Sequence, residues 1–121
     1  MHITRTFAET FARDWVEAWN AHDLPRVLAH YTDDFEMSSP LITQIAGEPS
    51  GKLKGKARVA AYWQAALARR PDLKFELLQV LVGASSVVVN YRTNFGCQSA
   101  EVFFFNDRGL VERAAAHYGG D

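Results

Sequence analysis

The sequence predicts an α+β domain, and three observations carry that reading. Three stretches with helical spacing of apolar residues come first, and the second half of the chain then alternates apolar and polar residues like successive strands. A dense turn signal, Asn106-Asp107-Arg108-Gly109, separates the last two of those strands. Helices gathered ahead of a strand meander, with one early short strand, make an α+β layout. A strongly twisted sheet with helices against its concave side leaves a conical space between the layers.

The first helix is marked by Phe7, Phe11, Trp15, Ala18 and Trp19, with Glu9, Arg13, Asp14 and Glu17 opposite. Thr6 followed by Glu9 has capping-box spacing and sets its expected start. Asp23 is the expected N-cap of a short second helix with Leu24, Val27, Leu28 and Tyr31 on its apolar stripe, and Pro25 fits its first turn. Phe35 to Ser39 alternates like a short strand that Pro40 ends. From Leu41 to Gly55 no period is sustained, and a loop of that length suggests a pocket rim or lid. Its end carries Lys52, Lys54, Lys56 and Arg58, a solvated surface or a greeting for an anionic substituent. The third helix runs from about Lys56 to Arg69 and stops at Pro71, with Val59, Tyr62, Trp63, Ala66 and Leu67 on one face. Strands then follow: Leu73 to Val82, its second half a fully covered run; Val87 to Phe95; Gln98 to Phe105; and Leu110 to Tyr118.

A length of 121 residues fits one domain, residues 1–121, with a sizeable core. Lys and Arg number 13 against 14 Asp and Glu, so charge gives no reason to expect nucleic acid or an anionic membrane as partner. No apolar run approaches the roughly 18 residues of a membrane span. The single cysteine, Cys97, cannot form an internal disulfide, and the N-terminus shows no signal-peptide core, so a cytoplasmic protein is expected. His2, His22, His30 and His117 are scattered without ligand spacing, so neither a metal nor another cofactor is expected. Cys97 follows Gly96 in a turn, a poor setting for a nucleophile. Gly47, Gly51 and Gly55 lack the strand–turn–helix context of a phosphate loop.

One strand concentrates the chemistry. Alternation over 99–105 puts Ser99, Glu101, Phe103 and Phe105 on one face and Ala100, Val102 and Phe104 on the other. Both faces are apolar, and an ionised carboxylate loses its hydration under cover. Glu101 therefore points at water near an edge or lines a cavity.

Trp15-Val16-Glu17-Ala18-Trp19-Asn20-Ala21-His22-Asp23-Leu24, Tyr31-Thr32-Asp33-Asp34-Phe35, and Leu53-Lys54-Gly55-Lys56 ahead of Tyr62-Trp63 together resemble the nuclear transport factor 2-like superfamily, with its SnoaL-like and ketosteroid isomerase branches. Phe105 to Val111 is similar to that family's last hairpin. The resemblance covers nearly the whole chain. It implies a cystatin-like cone, three N-terminal helices packed on a strongly curved mixed or antiparallel sheet around an internal pocket, and often a homodimer.

Carried over residue by residue, the resemblance keeps one of three isomerase roles. The carboxylate base expected before the strand-ending proline is Ser39, the tyrosine on the first helix is Trp15, and only the acid on the penultimate strand is kept, as Glu101. A serine hydroxyl cannot take a carbon-bound proton unaided, which disfavours steroid isomerisation by that route. The resemblance also implies inward faces: Phe35, Met37 and Ser39; Val89, Tyr91, Thr93 and Phe95; Ser99, Glu101, Phe103 and Phe105; Ala114, Ala116 and Tyr118. With Trp15, Trp19 and Trp63 as walls, such a pocket suits a small apolar or aromatic ligand. Arg92, Val102, Phe104 and His117 then share an outer face that would meet a second copy.

Two functions are expected from these residues. One is a non-catalytic or accessory protein binding a small ligand beside Glu101. The other is an isomerase, cyclase or dehydratase using Glu101 as a lone general acid or base on an apolar carbonyl compound, with Tyr118 as a candidate catalytic partner and Tyr91, Tyr118, Ser39, Ser99 or Thr93 able to hydrogen-bond the carboxyl group.

Overall fold

A computed structural model describes residues 2–120. Helix α1 (Arg5–Asn20) begins two residues earlier than the Thr6 signal suggests: Thr4 has the extended backbone of a cap and its side chain accepts from the Phe7 N–H at 3.0 Å. Thr6 lies inside the first turn. The short α2 (Leu24–Leu28) is capped by Asp23, which accepts from the Arg26 N–H at 3.2 Å, and Pro25 fits its start. Tyr31 does not extend that helix. The Val111 N–H donates to the His30 carbonyl at 2.8 Å, drawing the chain into the sheet, and Tyr31 becomes the first residue of β1 (Tyr31–Ser38).

The 41–55 stretch is more ordered than its composition suggests. It holds α3 (Pro40–Ala46) and β2 (Lys52–Lys54). Ser39 caps α3 by accepting from the Leu41 N–H at 3.1 Å, and Pro40 takes the first helical position, where its missing N–H costs nothing. Gly47, at φ 73°, closes α3 in the left-handed conformation that glycine adopts without steric cost. In β2 the lysines alternate because they flank a buried Leu53. Helix α4 (Lys56–Arg69) follows as expected, burying Val59, Tyr62 and Trp63.

Strands β3 (Phe75–Val82), β4 (Ser86–Thr93), β5 (Gln98–Phe105) and β6 (Val111–Tyr118) complete one six-stranded sheet in the order β2-β1-β6-β5-β4-β3. All neighbours are antiparallel except β1 and β6, which are parallel. Register shifts in β1, β3 and β6 add the local twist that curves the sheet. The shift between Leu77 and Gln79 also undoes the expected full cover of β3. On this edge strand Leu78 is 38% and Leu81 46% exposed. Phe95 is a second correction: it lies past the end of β4, 47% exposed, with the Arg70 guanidinium 4.1 Å above its ring.

Helix α1 lies in the hollow of the sheet. Phe11 and Trp15 make edge-to-face contacts with Phe103 of β5 at 4.9 and 5.2 Å, and the buried apolar residues form one core. Among the described residues no helix is long and apolar enough to cross a membrane.

Candidate functional site

Glu101 is drawn into the hollow by the alternation of β5. Ser99, Glu101, Phe103 and Phe105 are all buried, while Ala100, Val102 and Phe104 lie half-buried on the outer face. Its neighbours across the sheet are Val89 and Ala116, and the alanine leaves the carboxyl group room. Glu101 is 5% exposed, and the Tyr91 hydroxyl donates to its Oε1 at 3.1 Å. Burial pushes the carboxyl up to about 7, with the Tyr91 bond working against that rise. Among the described residues no cation pairs with it. Arg92 faces the other way, 3.6 Å from Glu76, and the Lys74 ammonium donates to the Asn20 carbonyl.

The chain has four tyrosines, and all four meet the field of this carboxylate. Burial raises Tyr31, Tyr62, Tyr91 and Tyr118 above the usual phenol range, and the negative charge of Glu101 adds to each rise. Tyr118 meets Ser39 Oγ at 3.3 Å. Ser39 thus joins the cap of α3 to the Tyr118 phenol. Tyr31 and Tyr62 escaped the sequence reading: Tyr31 was assigned to a helix stripe, and Tyr62 reads as ordinary core at its spacing on α4.

The other expected ligand-binding residues are buried mainly against one another. Trp15 donates its indole N–H to the Tyr31 hydroxyl at 3.0 Å rather than toward Glu101, and its ring stacks on Phe75 with 5.6 Å between centroids. Trp19 meets Trp63 edge-on at 5.1 Å, and its own indole N–H is buried with no hydrogen-bond partner among the described residues. Phe35 leans on Tyr31 at 4.3 Å, and Met37 is buried beside it on β1. Phe105 packs on Phe7 and Phe11. Thr93 is buried, but its hydroxyl accepts from the Cys97 N–H at 3.0 Å and so closes the β4–β5 turn.

Open space lies at two other places. A groove of about 430 Å³ runs between α3 and α4 and has Tyr62 in its wall. A depression of about 410 Å³ at one end of the sheet is lined by Ser99 and Tyr118 together with Asn90, Ala100 and His117 of the outer face. Elsewhere on that face Arg92 and His117 are exposed, and the Arg113 guanidinium covers the Phe104 ring at 3.8 Å. Among the described residues no three His, Cys, Asp or Glu side chains are grouped to hold a metal. The chemistry on hand is a carboxyl group able to be acid or base near neutral pH, hydrogen-bonded by the Tyr91 phenol, with three further phenols that feel its charge.

Comparison with known proteins places this geometry in a family. No curated protein matches the chain significantly. Among solved structures, a SnoaL-like protein of unknown function from Burkholderia thailandensis E264 is 53% identical, spans 99% of this chain and 100% of its own, and superposes with a TM-score of 0.94. A protein of unknown function with a cystatin-like fold from Methylobium petroleophilum PM1 is 19% identical over 100% of this chain and 81% of its own, with a TM-score of 0.77. A protein from Agrobacterium tumefaciens C58, provisionally named an isomerase of the SnoaL-like family, is 19% identical over 95% of this chain and 99% of its own, at 0.76. The last two show the fold alone. The profile of the SnoaL-like domain matches residues 12–118, and with the B. thailandensis relative it shows that the chain belongs to the SnoaL-like domain family of the nuclear transport factor 2-like superfamily.

Proposed function

We propose that the protein binds a small, largely apolar or aromatic molecule in the hollow of its sheet, with Glu101 as the polar pole that orients it. The observation that carries this reading is a carboxyl group 5% exposed and hydrogen-bonded by a neutral phenol, with no cation paired to it among the described residues. A structural carboxylate at such depth normally acquires a cation, because its lost hydration must be replaced. A carboxyl group left half-satisfied by Tyr91 is suited to exchange hydrogen bonds with a carbonyl or hydroxyl group. The aromatic rings beside it then give way to, or stack on, the rest of the ligand.

A thermal-shift screen against steroids, aromatic polyketide-like ketones and terpenoids tests the reading, with each hit repeated on Glu101→Gln. Ligands bearing a carbonyl or hydroxyl group should raise Tm, and the variant should bind them differently. Hits that bind the variant unchanged, or an absence of hits across all three classes, would count against it.

One observation favours a catalytic version of the same site: burial holds Glu101 near 7. As a carboxylate it takes a proton from the carbon next to a substrate carbonyl; the Tyr118 or Tyr91 hydroxyl donates to the oxygen on which charge develops; Glu101 then returns the proton elsewhere. That sequence serves isomerisation, cyclisation or dehydration with one base. The provisional isomerase name of the A. tumefaciens protein is consistent with it. For any turned-over ligand, Glu101→Gln should lower kcat by about a hundredfold or more.

The outer face supports a homodimer in our reading. Val102 and Phe104 lie half-buried there between exposed Arg92 and His117, a mixed surface of the kind that pairs with a copy of itself. Sedimentation at micromolar concentration, with Val102→Glu as the disrupting variant, checks it. A lone Cys97, unable to form an internal disulfide, keeps the cytoplasm as the setting we favour.

A further inference from the structure

The groove between α3 and α4 belongs to neither face considered so far. Arg58, Ala61, Tyr62 and Ala65 recur at i, i+3, i+4 and i+7, which puts them on one side of α4 facing the C-terminal end of α3. Alanine at two of these positions leaves a gap where longer side chains would close the helix pair. Its apolar surface comes from Ile45, Ala46 and the two alanines, and its floor from Leu53 and Tyr62, each 5% exposed.

Arg58 is the exposed cation of this groove. Among the described residues its guanidinium makes neither a hydrogen bond nor an ion pair. Glu48 also lines the groove and feels the charge of Arg58, while its carboxylate accepts from the Ser50 N–H at 2.9 Å. Arg58 also stands in the first turn of α4, where the exposed N–H groups already carry partial positive charge and a cation is disfavoured. No acidic residue shares that turn, and no side chain caps it. An apolar trough with a free, planar, five-donor cation at its rim complements an amphiphilic anion. The volume of about 430 Å³ is in the range that holds a small molecule.

We propose that this groove is a binding site for a small aromatic or alkyl carboxylate or sulfonate, its apolar part lying between α3 and α4 and its anionic group held by Arg58. The site does not require the hollow around Glu101 to open, and the two readings fail separately.

Two fluorescent probes that differ in one group test it: 1-anilinonaphthalene-8-sulfonate and its uncharged analogue N-phenyl-1-naphthylamine. The sulfonate should bind at one site per chain, about fivefold tighter than the neutral probe at low salt, and the preference should fade as salt rises. Arg58→Ala should abolish the preference while leaving the neutral probe unaffected, and Arg58→Lys should keep part of it. Ala61→Trp, or Ala65→Phe if the first does not fold, should weaken both probes by filling the trough. Glu101→Gln should leave both as they are. The proposal is overturned if neither probe binds, if both bind equally, if Arg58→Ala changes nothing, or if Glu101→Gln removes binding that the filled-groove variants retain.

Discussion

Tyr91 and Glu101 stand on adjacent strands but not opposite each other: Val89 faces Glu101 and Tyr91 faces Ser99. The phenol lies diagonally along β4 so that its hydroxyl comes 3.1 Å from Glu101 Oε1. Diagonal reach across a ladder suits a long aromatic side chain, and it leaves the space opposite Glu101 to small Ala116 and to Val89. The bond favours the ionised form of Glu101 while burial favours the protonated form, and burial prevails.

Tyr91→Phe removes the opposing contribution. The carboxyl should then titrate higher than in the parent protein, and at pH 8 the fold should lose about 1–3 kcal/mol, the cost of a buried charge deprived of its donor. Urea denaturation at pH 8 and pH 5 checks both parts, since the loss should shrink at pH 5, where the carboxyl is protonated. Equal losses at the two values would show that the phenol acts through packing alone.

A carboxyl raised from an unfolded value of 4.5 to about 7 makes stability depend on pH in a set direction. Between those values the folded state holds the proton that the unfolded state has released, so stability falls as pH rises. The contribution is unpenalised below 4.5 and reaches its full cost, on the order of 3 kcal/mol, above 7. Glu101→Gln should flatten this slope. Guanidinium unfolding curves of both proteins across that range provide the comparison.

Asp14 should act with the opposite sign. Its carboxylate accepts from Arg26 Nε at 3.1 Å and from the Nη2 of the same side chain, and it meets His30 Nε2 at 2.7 Å. The hydrogen bonds from Arg26 are the larger cause holding it below the usual carboxylate range; those from His30 follow. Its stabilisation is present above the unfolded pKa of about 3.8 and is lost as pH falls through the lower folded value. With Asp14 35% exposed, solvent screening limits the expected cost of Asp14→Asn at pH 7 to about 1 kcal/mol. A difference between the two proteins that shrinks as pH falls below 3.8 would bear this out.

Tyr31→Phe strips the acceptor from the buried Trp15 indole N–H, which donates to it at 3.0 Å. The expected cost is about 1–3 kcal/mol. The double variant Tyr31→Phe, Trp15→Phe should lose less than the sum of the single losses, because the second substitution removes the stranded donor. Strict additivity in thermal unfolding would show that the hydrogen bond contributes nothing beyond packing.

How much of this the sequence discloses depends on the length of the pattern involved. Helix α4 and strand β5 each run through two or more periods, so Lys56 to Arg69 and the grouping of Ser99, Glu101, Phe103 and Phe105 on one face are legible from spacing alone, while the choice of that face as the inward one rests on the family resemblance. Helix α3 has seven residues, about two turns, too short a run to sustain a readable pattern, and Pro40 reads equally as the end of a strand or the first residue of a helix. Tyr31 fits a helical stripe by its spacing from Val27 and Leu28, and only the long-range bond from Val111 to His30 shows that it starts a strand. The convergence of four tyrosines on one carboxylate is hidden for the same reason: they come from β1, α4, β4 and β6, and nothing local links them. Phe95 shows the reverse error, an alternating pattern continued past Thr93, the last residue of β4, where the bond from the Cys97 N–H closes the turn to β5.

The most direct test of the central claim is a titration of the Glu101 carboxyl carbon by NMR, assigned with the Glu101→Gln variant. A buried carboxyl with no paired cation among the described residues should titrate near 7. A midpoint close to the ordinary value of 4.5 would show a hydrated carboxylate and would contradict the reading of Glu101 as the polar pole of a closed apolar site.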